Sequence, residues 1–109
     1  MIRSKKMLDA ARDQACINCG VRDGTVVAAH YTGLRAHSFG KGTGHKVHDL
    51  CVADLCSKCH EAFDRHDKKS TAKTPYDQKI DLSEQFLYLI IKTLMRRIDQ
   101  EVIKVKGYE

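Results

Sequence analysis

Two Cys-x-x-Cys motifs, Cys16/Cys19 and Cys56/Cys59, constrain the fold of this chain more than any other feature. The two intervening residues let the chain curl so that both sulfurs of a motif face one ion, and four thiolates complete a tetrahedral structural zinc site. A chain of 109 residues has room for a small core only, so a bound metal would add needed stability. The motifs therefore predict that two distant segments meet at one zinc ion.

Other interpretations of the cysteines explain less. Four buried free cysteines would leave the paired spacing without a reason, and a reversible dithiol redox role is a more distant alternative. The fifth cysteine, Cys51, lies in the apolar segment LCVADL and is expected to be a small core residue. A cysteine protease is not indicated either, because the sequence suggests no activating His and Asn framework around any single cysteine.

The charge and hydropathy of the chain narrow the class of protein. Its 19 Lys and Arg against 14 Asp and Glu give a net charge of +5, which favours a polyanionic partner. No apolar run approaches the ~20 residues of a membrane span, and the segment MIRSKKMLDAARDQ has no signal-peptide core. We therefore expect no membrane partner and a cytoplasmic location, where paired cysteines more often bind metal than form disulfides.

The first two thirds of the chain are expected to form a helix, a hairpin and a second helix. Residues 4–15 suit a short helix, and residues 25–31 and 50–55 are typical of two strands. Residues 32–49 contain several glycines and have no helical period, so they are predicted to form a loop without an element of its own. A helix of about three turns is expected from Ser57.

The last segment is predicted to be a linker over residues 70–80 and a long helix over residues 81–106. Asp81 can cap that helix, Glu84 is its capping-box partner, and Gly107 sits at the expected stop. Its apolar face is expected to pack over the hairpin as core, and because such a helix is longer than a small domain needs, a surplus part of that face is expected to bind a second copy or a partner. The face comprises Leu87, Ile90, Ile91, Leu94, Ile98, Val102 and Val105.

A histidine and an aspartate follow the second cysteine motif. His60 comes directly after Cys59, and Asp64 lies one helical turn further on the same helix face. An imidazole and a carboxylate so placed make half of a second metal site with open positions. Alternatively, His60 caps or packs near the zinc and Asp64 is a solvated charge; spacing alone leaves both interpretations open.

Four segments of the chain resemble a known family. AARDQACINC, VVAAHYTG, GKGTGHKVHDL and CSKCHEAFDR occur in order over roughly residues 10–66. Their arrangement resembles a treble-clef zinc fold and the HNH (His-Me finger) nucleases, and in particular the small phage and prophage YbcO-type proteins, to which Ref-like recombination nucleases are related. The resemblance implies an α+β fold: one small treble-clef zinc domain of ββα-metal type over residues 1–109, with a knuckle, hairpin and metal-site helix in residues 1–69.

The same resemblance implies roles for individual residues. It makes His30 the general base, and His60 and Asp64 the ligands of a catalytic divalent metal, magnesium or another ion. The middle position of the family pattern, which orients the base, is assigned to Asp49. Many members carry a metal ligand just before the base, where this chain has Ala29, so Asp49 either holds His30 by a hydrogen bond or reaches the metal in place of that ligand. A neutral imidazole can take a proton from the water that attacks phosphorus.

The basic side chains of the 32–49 loop are expected to grip DNA phosphates. Arg35, Lys41 and Lys46 are the candidate contacts, and a solvated flexible loop is the alternative. Arg96, Arg97, Lys104 and Lys106 are expected to flank the apolar helix face and to reach DNA as well, whereas His66 is a weaker catalytic candidate.

The resemblance and the residues together predict a metal-dependent DNA endonuclease that hydrolyses phosphodiester bonds in phage or prophage recombination or DNA processing. Its setting would be a bacterial or phage-infected cell, and a recombination protein is a candidate partner. The alternative is a catalytically silent zinc module that binds DNA or a protein.

Overall fold

The computed structural model describes residues 2–42, 44–64 and 75–107. It is a small α+β structure with a two-stranded sheet and a long C-terminal helix, as the sequence predicts. The elements are, in chain order, α1 (Lys5–Asp9), β1 (Val27–His30), β2 (Val52–Leu55), α2 (Ser57–Asp64) and α3 (Pro75–Asp99).

The predicted hairpin is confirmed. β1 and β2 pair antiparallel, with Val27 opposite Leu55 and His30 opposite Val52. The connecting loop is more ordered than expected, because Ala36–Phe39 forms a 3-10 helix. Ala36 is buried, and the Phe39 ring packs edge-on against Tyr31 with centroids 5.8 Å apart. These apolar contacts hold the loop to the core and explain why it has an element of its own.

α1 is shorter than the predicted 4–15 helix. The Ser4 hydroxyl accepts a hydrogen bond from the Met7 backbone amide at 3.2 Å, which caps the helix start. Met7 is buried, and Asp13 has a φ of 63°, a left-handed conformation that ends the helical turns. The chain is thereby directed into the first cysteine motif.

α3 begins earlier and ends earlier than predicted. Pro75 starts the helix, which suits proline because the first helical residue needs no donated hydrogen bond. Asp81 and Glu84 therefore lie within the helix and do not form the expected cap. The predicted linker is wrong over residues 75–80, and its remainder lies outside the described residues.

The C-terminal end of α3 also differs from the expectation. The helix stops at Asp99, and Glu101 has a φ of 59° in the turn that follows. The backbone amides of Val102 and Ile103 both donate to the Arg97 carbonyl, at 2.8 and 3.2 Å. Gly107 thus lies beyond the helix end and is not its stop. Within the part of the chain that the structure describes, no helix combines the length and apolar character needed to cross a membrane.

The buried face of α3 is rotated from the predicted one. Its most buried side chains recur at spacings of three and four. Three of them, Ser83, Thr93 and Arg97, are polar and were not predicted to be buried, and the others are Phe86, Leu89 and Ile90. Ile91 and Val105, both expected on that face, are 59% and 45% exposed. Phe86 packs against both Tyr31 and Phe63, with centroids 5.4 and 5.0 Å apart, and so joins α3, the sheet and α2 in one core.

A buried ion pair joins α3 to the sheet. The Arg97 guanidinium donates through Nη1 and Nη2 to the two carboxylate oxygens of Asp54, at 2.7 and 2.6 Å, and both side chains are fully buried. Arg97 also donates to the Met7 carbonyl of α1 at 3.2 Å. Arg96 donates to Asp54 at 3.2 Å and to the Ala15 carbonyl at 2.8 Å. The expectation that Arg96 and Arg97 reach DNA is therefore wrong, because both are committed to internal contacts.

The outer edge of β2 is covered by other parts of the chain. The Asp54 backbone amide donates to the Thr93 hydroxyl at 3.2 Å, and the Ile17 amide donates to the Asp54 carbonyl at 2.8 Å. A two-stranded sheet is marginal by itself, and an open edge invites pairing with other chains. α3 and the first cysteine motif remove both weaknesses.

We expect the ion pair to dominate the stability of the fold. Arg97→Met should lower the free energy of unfolding by roughly 3–5 kcal/mol, because it leaves a buried carboxylate with only one arginine. Asp99→Asn, at an exposed helix position, is the matched control and should stay within about 0.5 kcal/mol of the parent. Urea denaturation followed by circular dichroism measures both; equal midpoints for the two variants would contradict this account.

Candidate metal centre and catalytic pair

The four cysteines of the two motifs form one cluster. The Sγ atoms of Cys16, Cys19, Cys56 and Cys59 all lie within 4.8 Å of one another, and Cys19 and Cys56 are 3.7 Å apart. A tetrahedral zinc ion with Zn–S bonds of about 2.3 Å places its sulfurs about 3.8 Å apart. All four cysteines are free of disulfides. The donor set therefore fits a metal ion such as zinc, which confirms that the two motifs meet at one site able to hold a metal.

Local backbone structure shapes the cluster. The Cys16 amide donates to the Val21 carbonyl at 2.8 Å, and the Gly20 amide donates to the Cys16 carbonyl at 2.9 Å, which closes a tight turn. Gly20 has a φ of 81°, where a side chain would be strained. Cys56 directly follows β2, and Cys59 lies in the first turn of α2. The hairpin and helix thus supply one half of the site and the turn supplies the other.

Without a cation the four thiols cannot all be ionised. Burial raises the pKa of Cys59 to about 12, and the Asn18 amide, 3.4 Å from its sulfur, offsets this only in part. Burial also raises the pKa of Cys16, but backbone hydrogen bonds from Cys19, Cys56 and Asn18 outweigh it and lower the pKa to about 7. A bound cation is the natural counter-charge for four sulfurs at this spacing.

His30 and Asp49 form a buried pair at the end of β1. His30 Nε2 lies 2.8 Å from Asp49 Oδ1, and the two side chains are 16% and 5% exposed. Sequence reasoning left two roles open for Asp49, and the structure shows the contact with His30. Because residues 30 and 49 lie at the two ends of the connecting loop, hairpin formation brings them together.

Residues Ile2–Ser4, here called the N-terminal clamp, hold Asp49 in place. The Ser4 amide donates to Asp49 Oδ2 at 2.7 Å, and Arg3 Nη1 donates to Oδ1 at 3.0 Å. Arg3 also donates to the carbonyls of Val47 and Lys46, at 2.7 and 2.8 Å. Sequence reasoning missed these contacts, because nothing in a local pattern relates residues 2–4 to the loop.

The clamp and His30 keep the Asp49 carboxylate ionised. Burial alone would raise the pKa of this carboxyl group, but hydrogen bonds from His30, Ser4 and Arg3 together lower it below its ordinary value. An ionised carboxylate only accepts hydrogen bonds, so His30 Nε2 must carry the shared proton. In the neutral form of the ring with its proton on Nε2, Nδ1 is the nitrogen that can accept a proton from water.

His60 and Asp64 form a second pair on α2. His60 Nε2 lies 3.5 Å from Asp64 Oδ2, and both side chains are partly exposed. Among the described residues, the cysteine cluster is the only group of three or more His, Cys, Asp or Glu side chains close enough to hold a metal. His60 and Asp64 therefore offer two potential ligands, and the described residues supply no third one beside them.

The two pairs are separate groups of potential ligands within the described residues. Ala29 is buried in the core, and the next residue, His30, contacts Asp49. The structure thus brings together the members of each pair without joining the pairs into one cluster. His66, the weaker catalytic candidate, lies outside the described residues.

The three basic loop residues are exposed, but their backbone is anchored. The side chains of Arg35, Lys41 and Lys46 face solvent. The Arg35 amide donates to the Tyr31 hydroxyl at 3.0 Å, and the Lys46 carbonyl accepts from the N-terminal clamp. Their contact with DNA stays a prediction. The loop is not fully flexible at Arg35 and Lys46, because the backbone is hydrogen-bonded at both residues.

Comparisons with family models, with curated proteins and with solved structures found no match for this chain. No family is shown.

We expect purified protein to retain about one tightly bound metal ion, and elemental analysis should identify it as zinc. Cys16→Ala and Cys59→Ala should each lose the ion and the folded circular dichroism spectrum, because metal binding supplies folding energy. Cys51→Ala is the control: Cys51 is half-buried and outside the cluster, so metal and fold should both persist. Fully folded protein without any metal would contradict the assignment.

Proposed function

We propose that this protein is a metal-dependent DNA endonuclease of HNH type. The observation that supports it most is the buried His30–Asp49 pair, in which a clamped carboxylate orients an imidazole with one nitrogen left to act as a base. Histidines with no partner are common on protein surfaces. An oriented and partly buried one beside an ionised carboxylate is typical of general-base chemistry.

In the proposed reaction His30 activates a water molecule. Nδ1 takes a proton from the water as its oxygen attacks phosphorus, and the phosphodiester bond to the leaving oxygen breaks. Asp49 stabilises the positive charge that develops on the ring, and Arg3 and Ser4 hold Asp49 still while this happens. A positioned base of this kind contributes ~10²–10⁴ in rate.

The exposed His60–Asp64 pair suits a divalent ion such as magnesium, with positions left for water and phosphate. Such an ion would supply charge neutralisation at the leaving oxygen. Among the described residues, His60 and Asp64 are the two protein ligands present at this position, and no third one completes the group.

The cysteine cluster has a structural role in this proposal. Four thiolates fill the coordination of a zinc ion and leave no open position for substrate. The ion would fasten the turn at Cys16–Gly20 to the start of α2, and so fix the helix that carries His60 and Asp64.

DNA is the proposed substrate because of charge. The net charge of +5 includes three exposed cations, Arg35, Lys41 and Lys46, on the same loop that ends at Asp49. Phosphates held there would lie on the loop that also carries the catalytic carboxylate. The proposed setting is phage or prophage recombination or DNA processing in the cytoplasm of a bacterial or phage-infected cell, with a recombination protein as a candidate partner.

One observation favours a second function, that of a catalytically silent zinc module that binds DNA or protein. Ala29 occupies the position where the HNH resemblance expects a metal ligand, and it is buried in the core at 1% exposure. Together with the lack of a third ligand beside His60 and Asp64 among the described residues, this weakens the proposed catalytic metal site and leaves the cysteine cluster intact.

Plasmid nicking separates the two functions. His30→Ala should abolish magnesium-dependent nicking while zinc content, melting temperature and DNA affinity stay close to those of the parent. Asp49→Asn should lower the rate about 10²-fold or more, because the base loses its orientation. Asp99→Asn is the matched control and should cleave normally.

The metal pair gives a further arm of the same experiment. His60→Ala and Asp64→Ala should also lose cleavage, and raised metal concentration should partly restore it. A parent protein that nicks no DNA with any divalent metal would favour the silent module. Cleavage that survives in His30→Ala would show that His30 is not the base.

DNA binding tests the loop independently of cleavage. Lys41→Ala/Lys46→Ala should weaken binding for all sequences alike and reduce the slope of log K against log salt by about 2, because two phosphate contacts are lost. Lys6→Ala/Lys58→Ala removes two exposed lysines elsewhere and serves as the charge-matched control. Fluorescence anisotropy over a salt series measures both slopes; equal slopes in the two variants would contradict the role of the loop.

A further inference from the structure

We propose that the outer face of α3 binds a second copy of this chain, packed antiparallel about a two-fold axis near Tyr88. The outer face is defined here as the exposed side chains Ile80, Glu84, Tyr88, Ile91, Lys92 and Met95. This proposal is independent of the nuclease proposal, since it rests on surface chemistry away from the catalytic pair.

The outer face is strongly apolar for an exposed surface. Ile80, Tyr88, Ile91 and Met95 are 41%, 51%, 59% and 61% exposed. They recur along one side of the helix, roughly opposite the buried side that carries Phe86 and Arg97. At about 1.5 Å per residue this line extends about 22 Å. Large apolar side chains that recur along one exposed face are typical of a binding surface, because covering them is favourable.

The two charged residues of the outer face have opposite signs and lie on either side of Tyr88. Glu84 lies one turn before Tyr88 and Lys92 lies one turn after it, so the two charges are symmetric about Tyr88. An antiparallel copy with its two-fold axis at Tyr88 places each Glu84 opposite the other copy's Lys92, and the contact occurs twice. A parallel arrangement in register would place like charges together. At these two residues, charge complementarity favours the antiparallel arrangement.

The shape of the surface agrees with its charge. A shallow hollow of 390 Å³ borders the C-terminal half of the outer face and is lined by Lys92, Met95, Arg96, Asp99 and Gln100. The Arg96 guanidinium in its lining donates to Asp54 and to the Ala15 carbonyl. With the axis at Tyr88, residue 80 of one copy lies opposite residue 96 of the other. The exposed Ile80 side chain is therefore placed to enter the hollow of the second copy.

A second copy is the occupant that these features fit together. Glu84, Lys92, the exposed Ile80 and the hollow are all on one surface, and each complements another part of it. Such self-complementarity is the property of an isologous two-fold interface. A different protein would have to reproduce the same pattern of charge and shape.

Oligomeric state tests the proposal. Multi-angle light scattering of the full chain over a concentration series should show a monomer–dimer equilibrium. Ile91→Glu should shift it to monomer with an unchanged far-ultraviolet circular dichroism spectrum. Val105→Glu is the matched control, since Val105 is 45% exposed and lies beyond α3, and it should dimerise as the parent does. A parent that stays monomeric at every concentration would overturn the proposal.

A charge exchange tests the antiparallel arrangement. Glu84→Lys and Lys92→Glu should each raise the dimer Kd roughly 5- to 30-fold, because each places like charges together at two symmetric points. The double variant Glu84→Lys/Lys92→Glu should restore a Kd near that of the parent. A double variant no tighter than either single one would overturn the antiparallel pairing.

Discussion

The carboxylate of Asp54, buried on a two-stranded sheet, is the constraint on which most of the structure depends. A charged group removed from water costs several kcal/mol unless it is fully paired. Here Arg97 meets both of its oxygens, and the same guanidinium bonds the Met7 carbonyl, while Arg96 reaches the Ala15 carbonyl. Satisfying one carboxylate thus draws α1, the first cysteine motif and α3 onto the same strand. The sheet is too small to be stable alone, and these contacts pack the other elements against it.

The cysteine cluster and the ion pair fasten the same segments by different chemistry. Both attach the region around Cys16 to the end of β2, one through sulfur and the other through arginine. The sheet positions His30, and the N-terminal clamp then orients Asp49 against it. Asp49 repeats the chemistry of Asp54, since each is a buried carboxylate that accepts hydrogen bonds from an arginine, but Asp49 also holds an imidazole. Asp54 therefore has a structural role, and Asp49 is a candidate for catalysis.

The sequence predicted those features that depend on local spacing. The cysteine motifs, the hairpin strands and the His60–Asp64 pair follow from intervals of two to four residues. The position of Arg97 in the core could have been recognised from its spacing of four after Thr93, but a charged residue was assumed to face solvent. Buried charges depend on partners distant in the chain, and neither Asp54 nor the clamp on Asp49 leaves a local signal. The predicted start of α3 was wrong because Pro75, placed in the linker from the sequence, begins the helix, and the Asp81–Glu84 spacing that is typical of a cap lies inside it.

The claim that the fold prepares His30 as a base can be measured on the ring itself. Long-range nitrogen–proton correlation spectroscopy of the zinc-loaded protein, above neutral pH, distinguishes the two neutral tautomers of each histidine. The structure predicts that His30 carries its proton on Nε2, donated to Asp49, with Nδ1 unprotonated. Asp49→Asn should remove this preference and leave the spectra of the exposed histidines unchanged. A His30 ring protonated on Nδ1 in the parent protein would contradict the pairing with Asp49 and the catalytic role built on it.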